Sequence, residues 1–276
     1  MSHRILRARD RIISLDRTLV MGVVNVTPDS FSDGGRYASH DAAEARALAL
    51  AAEGADILDL GGESSRPGHM PVAAEEEIAR VVPVIGRLAE RTHVPLSIDS
   101  WKASVAEAAL AAGADIVNDI WGFQRDPDIA RVTADQKAAC VLMHNRLAAD
   151  AGIDIMEDII GFLSRSVEIA LKAGVAEDRI VLDPGIGFGK TMDQNPVVIT
   201  RLDRLMALGY PVLVGASRKR FIGHLTGRND PDDRLAGTLS AHVAAALSGA
   251  HIIRAHDVAA HRDALTVADV ISMRTT

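Results

Sequence analysis

Three stretches decide the fold: AAEGADILDLGGE (51–63), AALAAGADIVNDIWG (108–122) and AALSGAHIIRAHD (245–257). Each is an Ala-rich helical run that ends at a glycine, passes into a short β-rich run and stops at polar residues. Gly54, Gly113 and Gly249 stand where a helix C-terminus needs a residue free to adopt the left-handed conformation. The unit recurs more loosely in KAGVAEDRIVLDPG (172–185) and ALGYPVLVGAS (207–217). Outward from these, eight strands are predicted: Val20–Val26, Asp56–Leu60, Pro95–Ile98, Asp115–Asn118, Ala139–Met143, Ile180–Leu182, Pro211–Val214 and His251–Ile253. Their apolar runs barely alternate, as parallel strands covered on both faces require. Strands alternating with helices specify an α/β parallel sheet, and eight such units suit a (β/α)8 TIM barrel. An open doubly wound sheet has the same strand count and stays as the alternative.

Ile5–Leu15 is expected to form a short N-terminal hairpin closing the barrel bottom. Between the strands lie helical patterns such as Glu75–Arg91, with Ile78, Val81, Val82, Ile85 and Leu88 on one face. Pro83 inside it predicts a kink or a later start. No linker rich in Pro, Gly or Ser divides the chain, so 1–276 reads as a single domain.

The 276 residues are 48% hydrophobic and 24% charged, which excludes a disordered or fibrous chain. A net charge of −7 argues against a general grip on nucleic acid or on anionic membrane, while leaving room for a local cationic pocket. The single Cys140 excludes an intramolecular disulfide and any Cys-based zinc cluster. With no long apolar run and no signal-peptide pattern at Met1–Arg11, a soluble cytoplasmic protein is expected.

Each predicted strand stops at a polar residue: Asn25, Asp59, Asp99, Asn118 with Asp119, His144, Asp183, Ser217 with Lys219, and Arg254 with His256. In a barrel these crowd the C-terminal mouth, where such folds do their chemistry. Helix caps and loops also favour Asp, Asn and Ser, which accounts for residues such as Ser217 or Asp59. It does not account for a Lys, an Arg and two His in the same ring. His144 by itself reads equally well as a satisfied core histidine. Six of the nine aromatics, Phe31, Trp101, Trp121, Phe123, Phe188 and Phe221, follow a strand end, as a flat ring substrate at the mouth would favour. DPGIGFGKT (183–191) looks like a phosphate loop, but Pro184 stands where G-x-x-x-x-G-K-[ST] needs Gly, and its glycine spacing is not the dinucleotide fingerprint.

NVTPDSFSDGG (25–35), GGESSRPG (61–68), SIDS (97–100), NDI (118–120), MH (143–144), DPGIGFGKT (183–191), SRK (217–219) and RAHDV (254–258) together resemble the dihydropteroate synthase family, in family order and over nearly the whole chain. The resemblance implies a dimeric (β/α)8 barrel using Mg2+. Its reaction joins (7,8-dihydropterin-6-yl)methyl diphosphate to 4-aminobenzoate and releases pyrophosphate in folate biosynthesis; sulfonamides, which mimic 4-aminobenzoate, are its inhibitors. By the same resemblance Asp99, Asn118, Asp183 and Lys219 form the pterin pocket. Asn25, Ser65, Arg66, Arg254 and His256 serve the diphosphate side, Asn25 as the Mg2+ ligand. Phe188 and the Ser217–Phe221 segment border the aminobenzoate. Asp99, Lys219 and Arg254 are the expected catalytic groups.

The chemistry agrees, since carboxylates, an amide and an ammonium complement a pterin edge, and arginine grips phosphate bidentately. The partners expected are these small molecules and a second copy of the chain, not nucleic acid or membrane. Three departures stand out: Ser65 and Ser100 replace the usual Thr, and Asn145-Arg146-Leu147 follows Met143-His144 where Met or Lys and Gly-Pro are common. The altered loop keeps open a non-catalytic pterin-binding paralogue. A methyltetrahydrofolate-type methyltransferase domain is a second rival, but neither calls for the Arg66, Arg254 and His256 set. The segments 25–36 and 63–70, rich in Gly, Ser, Asp and Pro, are expected to be loops that the diphosphate orders.

Overall fold

The computed structural model describes residues 5–26, 35–63 and 72–272. The expected hairpin comes first, β1 (Ile5–Ala8) antiparallel to β2 (Arg11–Ser14). Eight parallel strands follow: β3 (Leu19–Asn25), β4 (Ile57–Gly61), β5 (Leu96–Asp99), β6 (Ile116–Asp119), β7 (Ala139–Met143), β8 (Ile180–Asp183), β9 (Leu213–Val214) and β10 (Ile252–Ala255). Their order is β8-β7-β6-β5-β4-β3-β10-β9. A parallel bridge between Leu182 and Val212, with the Leu182 amide donating to Pro211 O at 2.9 Å, joins β8 to the start of β9. The sheet therefore closes into a ring, and the open-sheet alternative falls.

Helices stand between the strands: α1 (Gly35–Ala52), α2 (Ala74–Arg91), α3 (Ala103–Ala112), α4 (Ile129–Asp135), α5 (Ile155–Ala173), α6 (Gln194–Thr200), α7 (Leu202–Met206), α8 (Arg220–Thr226), α9 (Leu235–Leu247) and α10 (Val258–Ile271). Gly54, Gly113 and Gly249 end helices with φ of 98°, 119° and 108°, as expected. Contrary to expectation, α2 does not start late: it runs from Ala74 through Pro83, with Glu75, Glu76 and Glu77 in its first turn. Pro83 has no amide for the carbonyl of Ala79, and the His40 ring of α1 bonds that carbonyl instead, Nε2 to O 3.2 Å. Among the described residues no helix is long and apolar enough to cross a membrane.

The apolar side chains divide into two cores. The larger lies between sheet and helices and takes Val20, Val24, Leu58, Leu60, Leu96, Ile98, Leu182 and Val214 from the strands. The smaller fills the barrel itself with Met21, Ile57, Ile116, Val141, Val181, Leu213 and Ile252, plugged below by Leu6, Ala8 and Leu15 of the hairpin segment. Side chains alternate along a strand, so the next inward position is two residues beyond each inner one. Beyond Ile57 it is Asp59, beyond Ile116 Asn118, beyond Val181 Asp183, and beyond Ile252 Arg254. A polar tier therefore rests on the apolar plug, on the C-terminal side of the barrel.

Candidate active site

The polar tier is knitted together by direct bonds. Arg254 donates from Nε to Asp59 Oδ2 at 2.6 Å and from Nη2 to Asp99 Oδ2 at 2.7 Å. Asn118 Nδ2 donates to the same Asp59 oxygen at 3.0 Å. Asp59 is fully buried, and its other oxygen, Oδ1, has no hydrogen-bond partner among the described residues. Burial pushes the Asp99 carboxyl up; Arg254 opposes this and Asp59 adds to it. Burial also works against the Arg254 cation, but Asp59 and Asp99 outweigh it and hold its pKa above the ordinary guanidinium value. Four of the residues named from sequence thus stand in one inward tier: Asp99, Asn118, Asp183 and Arg254.

Lys219 joins them from the β9 side. Its ammonium donates to the Ile186 carbonyl and lies over the Phe188 ring, 4.6 Å from the centroid. Burial lowers its pKa to about 8; Asp183 opposes that shift, Arg254 adds to it and Asp99 opposes it. Asp183 accepts from the Gly185 amide at 2.7 Å, and burial pushes its carboxyl up against the pull of Lys219. The DPGIGFGK turn is shaped to bring these groups close. Gly187 has φ +82°, and a Cβ there would lie 2.8 Å from Lys219 Cδ.

Ser217 and His256 meet at the next station, Oγ to Nδ1 2.9 Å. Between Ser217 and Lys219, Arg218 takes φ +58° and turns away to pair with Asp257 at 2.7 Å. Behind them runs a buried chain of two histidines. The Ala216 amide donates to His242 Nε2 at 2.8 Å, His242 Nδ1 meets His261 Nε2 at 2.8 Å, and His261 Nδ1 meets Asp257 O at 2.6 Å. The Ala216 bond fixes the tautomer, so each ring passes a single proton down the chain and both are neutral. Asn25 is exposed at the C-terminal end of β3, paired in register with Gly61. Ser65, Arg66 and Phe31 lie outside the described residues.

Two further placements differ from the sequence reading. Asp59 is not a cap: it is the central anchor of Arg254 and Asn118. A carboxylate inside the short strand ILDLG, otherwise apolar or glycine, was the available signal, because such a group needs a buried cation or donor. Not all the strand-end aromatics line the mouth, either. Phe123 and Phe221 are 1% and 4% exposed and belong to the helix-side core. Trp101 and Trp121 instead flank the Arg125 guanidinium, at 4.2 and 5.1 Å. His144 is fully buried and bonded on both ring nitrogens, to Asp158 at 2.9 Å and to Lys190 at 2.9 Å. The unusual loop after it is held by Arg146, which pairs with Asp158 at 2.9 Å, and it leaves Leu147 92% exposed.

A closed (β/α)8 barrel with carboxylates, an amide and two cations above its plug is a site for a polar heterocycle. Residues 21–256 match the model of the pterin binding enzymes, which is the class this fold and site define. A dihydropteroate synthase of Clostridium beijerinckii is 46% identical over 260 residues, covering 94% of this chain and 96% of the relative. The Xanthomonas albilineans dihydropteroate synthase solved with 4-aminobenzoic acid superposes with a TM-score of 0.94 at 48% identity, covering 98% of both chains. The same enzyme in complex with 7,8-dihydropteroate gives 0.89 at 47% identity, covering 97% of this chain and 98% of that one. The chain belongs to the dihydropteroate synthase family.

Proposed function

We propose that this chain condenses (7,8-dihydropterin-6-yl)methyl diphosphate with 4-aminobenzoate, giving 7,8-dihydropteroate and pyrophosphate in folate biosynthesis. The observation that carries this reading is the bonded set of Asp59, Asp99, Asn118 and Arg254, with Asp183 and Lys219 buried beside it, in a barrel so similar to one solved with 4-aminobenzoic acid. Asp183 and Asn118 offer an acceptor and an amide to the pterin edge, and Lys219 a donor. The arylamine nitrogen attacks the exocyclic methylene; a C–N bond forms there and the C–O bond to the diphosphate breaks. Pyrophosphate departs with the electron pair, and the arylamine gives up one proton.

Stabilising the charge that builds on the leaving diphosphate is the main contribution open to the protein. Arg66, Arg254, His256 and Ser65 are assigned to it. Arg254 uses Nε and Nη2 on carboxylates, so Nη1 is the nitrogen engaged in neither bond. Asn25 supplies a neutral hard oxygen at the exposed end of β3, which fits a Mg2+ held otherwise by phosphate and water. Bound there, Mg2+ would neutralise charge on the diphosphate. Phe188 and Ser217 border the arylamine. No side chain is needed as a nucleophile, and Cys140 is buried in β7 with its thiol pKa pushed up by burial.

Turnover with both substrates and Mg2+, read as pyrophosphate release, tests the reaction. Release that requires both substrates is expected; no release, or release without the arylamine, overturns it. Sulfonamides should compete with 4-aminobenzoate, and inhibition that added 4-aminobenzoate does not relieve would remove them from that pocket. We place the protein in the cytoplasm as a homodimer, the latter supported by an exposed apolar stripe on α10.

A further inference from the structure

Lys190, the last residue of the GIGFGK turn, takes no part in the reaction as proposed above. It is 7% exposed, and its ammonium has three acceptors: Gly185 O at 2.8 Å, Phe188 O at 3.1 Å and His144 Nδ1 at 2.9 Å. An ammonium has three donors and no acceptor, so the match is complete. It also fixes the histidine: Nδ1 accepts, and the proton on Nε2 is donated to Asp158 Oδ2 at 2.9 Å. Asp158 is held in turn by Arg146 at 2.9 Å. The line Asp158–His144–Lys190 therefore ties α5 and the loop after β7 to both ends of the four-residue turn 185–188.

That turn is what shapes the surroundings of Lys219. Ile186 lends its carbonyl to the Lys219 ammonium, Phe188 lends its ring face, and Gly187 leaves no room for a Cβ beside the Lys219 stem. A turn built on three glycines with positive φ, Gly185, Gly187 and Gly189, has little conformational preference of its own. One internal bond, from the Phe188 amide to Gly185 O at 3.0 Å, closes it, and Lys190 crosslinks its first and last carbonyls. We propose that Lys190, oriented by His144 and Asp158, is a positioning residue for the arylamine step, holding in place the backbone that carries the Phe188 ring at the arylamine border. Lys190 touches no substrate in this scheme. The inference rests on the reaction proposed above.

The test is Lys190→Met, which keeps the stem and removes the donors. The KM for 4-aminobenzoate should rise about tenfold, the order expected when buried carbonyls lose their donor, and that for the pterin diphosphate by no more than about threefold. Amide hydrogen exchange at Gly187, which bonds Asn195 Oδ1 at 2.6 Å, should quicken by about tenfold or more as the turn loosens. An unchanged arylamine KM, the two KM values rising together, or unchanged exchange at Gly187 overturns the inference. Should Lys190→Met not fold, Asp158→Ala replaces it. That side chain is 31% exposed on α5, and the variant should shift the arylamine KM in the same direction by about threefold; no shift overturns the inference. The exchange comparison needs no turnover, so an inactive wild-type protein would overturn the proposed reaction and leave the question about the turn to be decided separately.

Discussion

Arg254 is held on two sides by Asp59 and Asp99, and this changes what each residue can do. A guanidinium clamped by two carboxylates is rigid and stays charged, which suits it to an anion that must be met in one geometry. Asp99→Asn keeps the volume and removes a charge from the clamp, leaving Arg254 with Asp59 alone. The loss in transition-state binding should be ~2–4 kcal/mol, measured as the fall in kcat/KM; a loss of a few tenths would make the carboxylate purely structural. Lys219 carries one part of the pH dependence, beside Lys190, whose pKa burial lowers to about 7. The Lys219 pKa is depressed to about 8, so the ammonium that serves as donor is present below that pH and lost above it. Activity should therefore fall as pH rises through about 8, by up to tenfold per unit in kcat/KM. Lys219→Ala should lower pterin affinity and turnover and flatten that alkaline limb; a limb that survives the substitution belongs to another group.

At the scale of elements, the loops after β8, β9 and β10 are each braced by something other than themselves. The β8 turn has Lys190 and Asn195, while the ends of β9 and β10 share the His242–His261 chain and the Ser217–His256 bond. Burial pushes the His242 pKa well below the ordinary value, and His261, Lys219 and His256 add to this. In the unfolded chain the same ring takes a proton near pH 6.5, at about the ordinary histidine value. Below that pH the unfolded state binds more protons than the folded one, so this contribution to stability is full above about 6.5 and is lost on acidification. Urea unfolding of wild type and His242→Gln between pH 7 and 5 should show wild type losing ground on the variant. The difference should change by up to about 1.4 kcal/mol per pH unit below 6.5. A pH-independent difference would mean that the ring titrates alike in the folded and unfolded chains.

For the whole molecule, the proposed dimer has a candidate contact surface on α10. Val267, Val270 and Ile271 are 60%, 59% and 67% exposed and fall at helical spacing on one stripe. An apolar stripe left in water is costly, and a two-fold contact would cover it on both copies with one surface. Val270→Glu should shift the protein from dimer to monomer in sedimentation velocity with little change in Tm. A variant that stays dimeric would place the interface elsewhere, and a monomeric wild type would remove the dimer.

The periodic units legible in the chain set the class of fold: glycine-ended helices running into short apolar strands specify local structure by conformational preference and burial alone, without reference to distant residues. The hairpin, the eight strands and the residue types at their ends followed from the same signals, and so did Asp99, Asn118, Asp183, Lys219 and Arg254 as candidates for the site. What sequence left open is what depends on closure and on which way a side chain points. Strands buried on both faces do not alternate, so ILDLG, whose lone carboxylate calls for a buried partner, does not say that Asp59 faces inward or that the partner is Arg254. The His40 partner of the Ala79 carbonyl, the Lys190 crosslink and the histidine chain join residues far apart in sequence. Such contacts exist only once the barrel has closed, because it is closure that brings groups on different strands and helices within hydrogen-bonding distance.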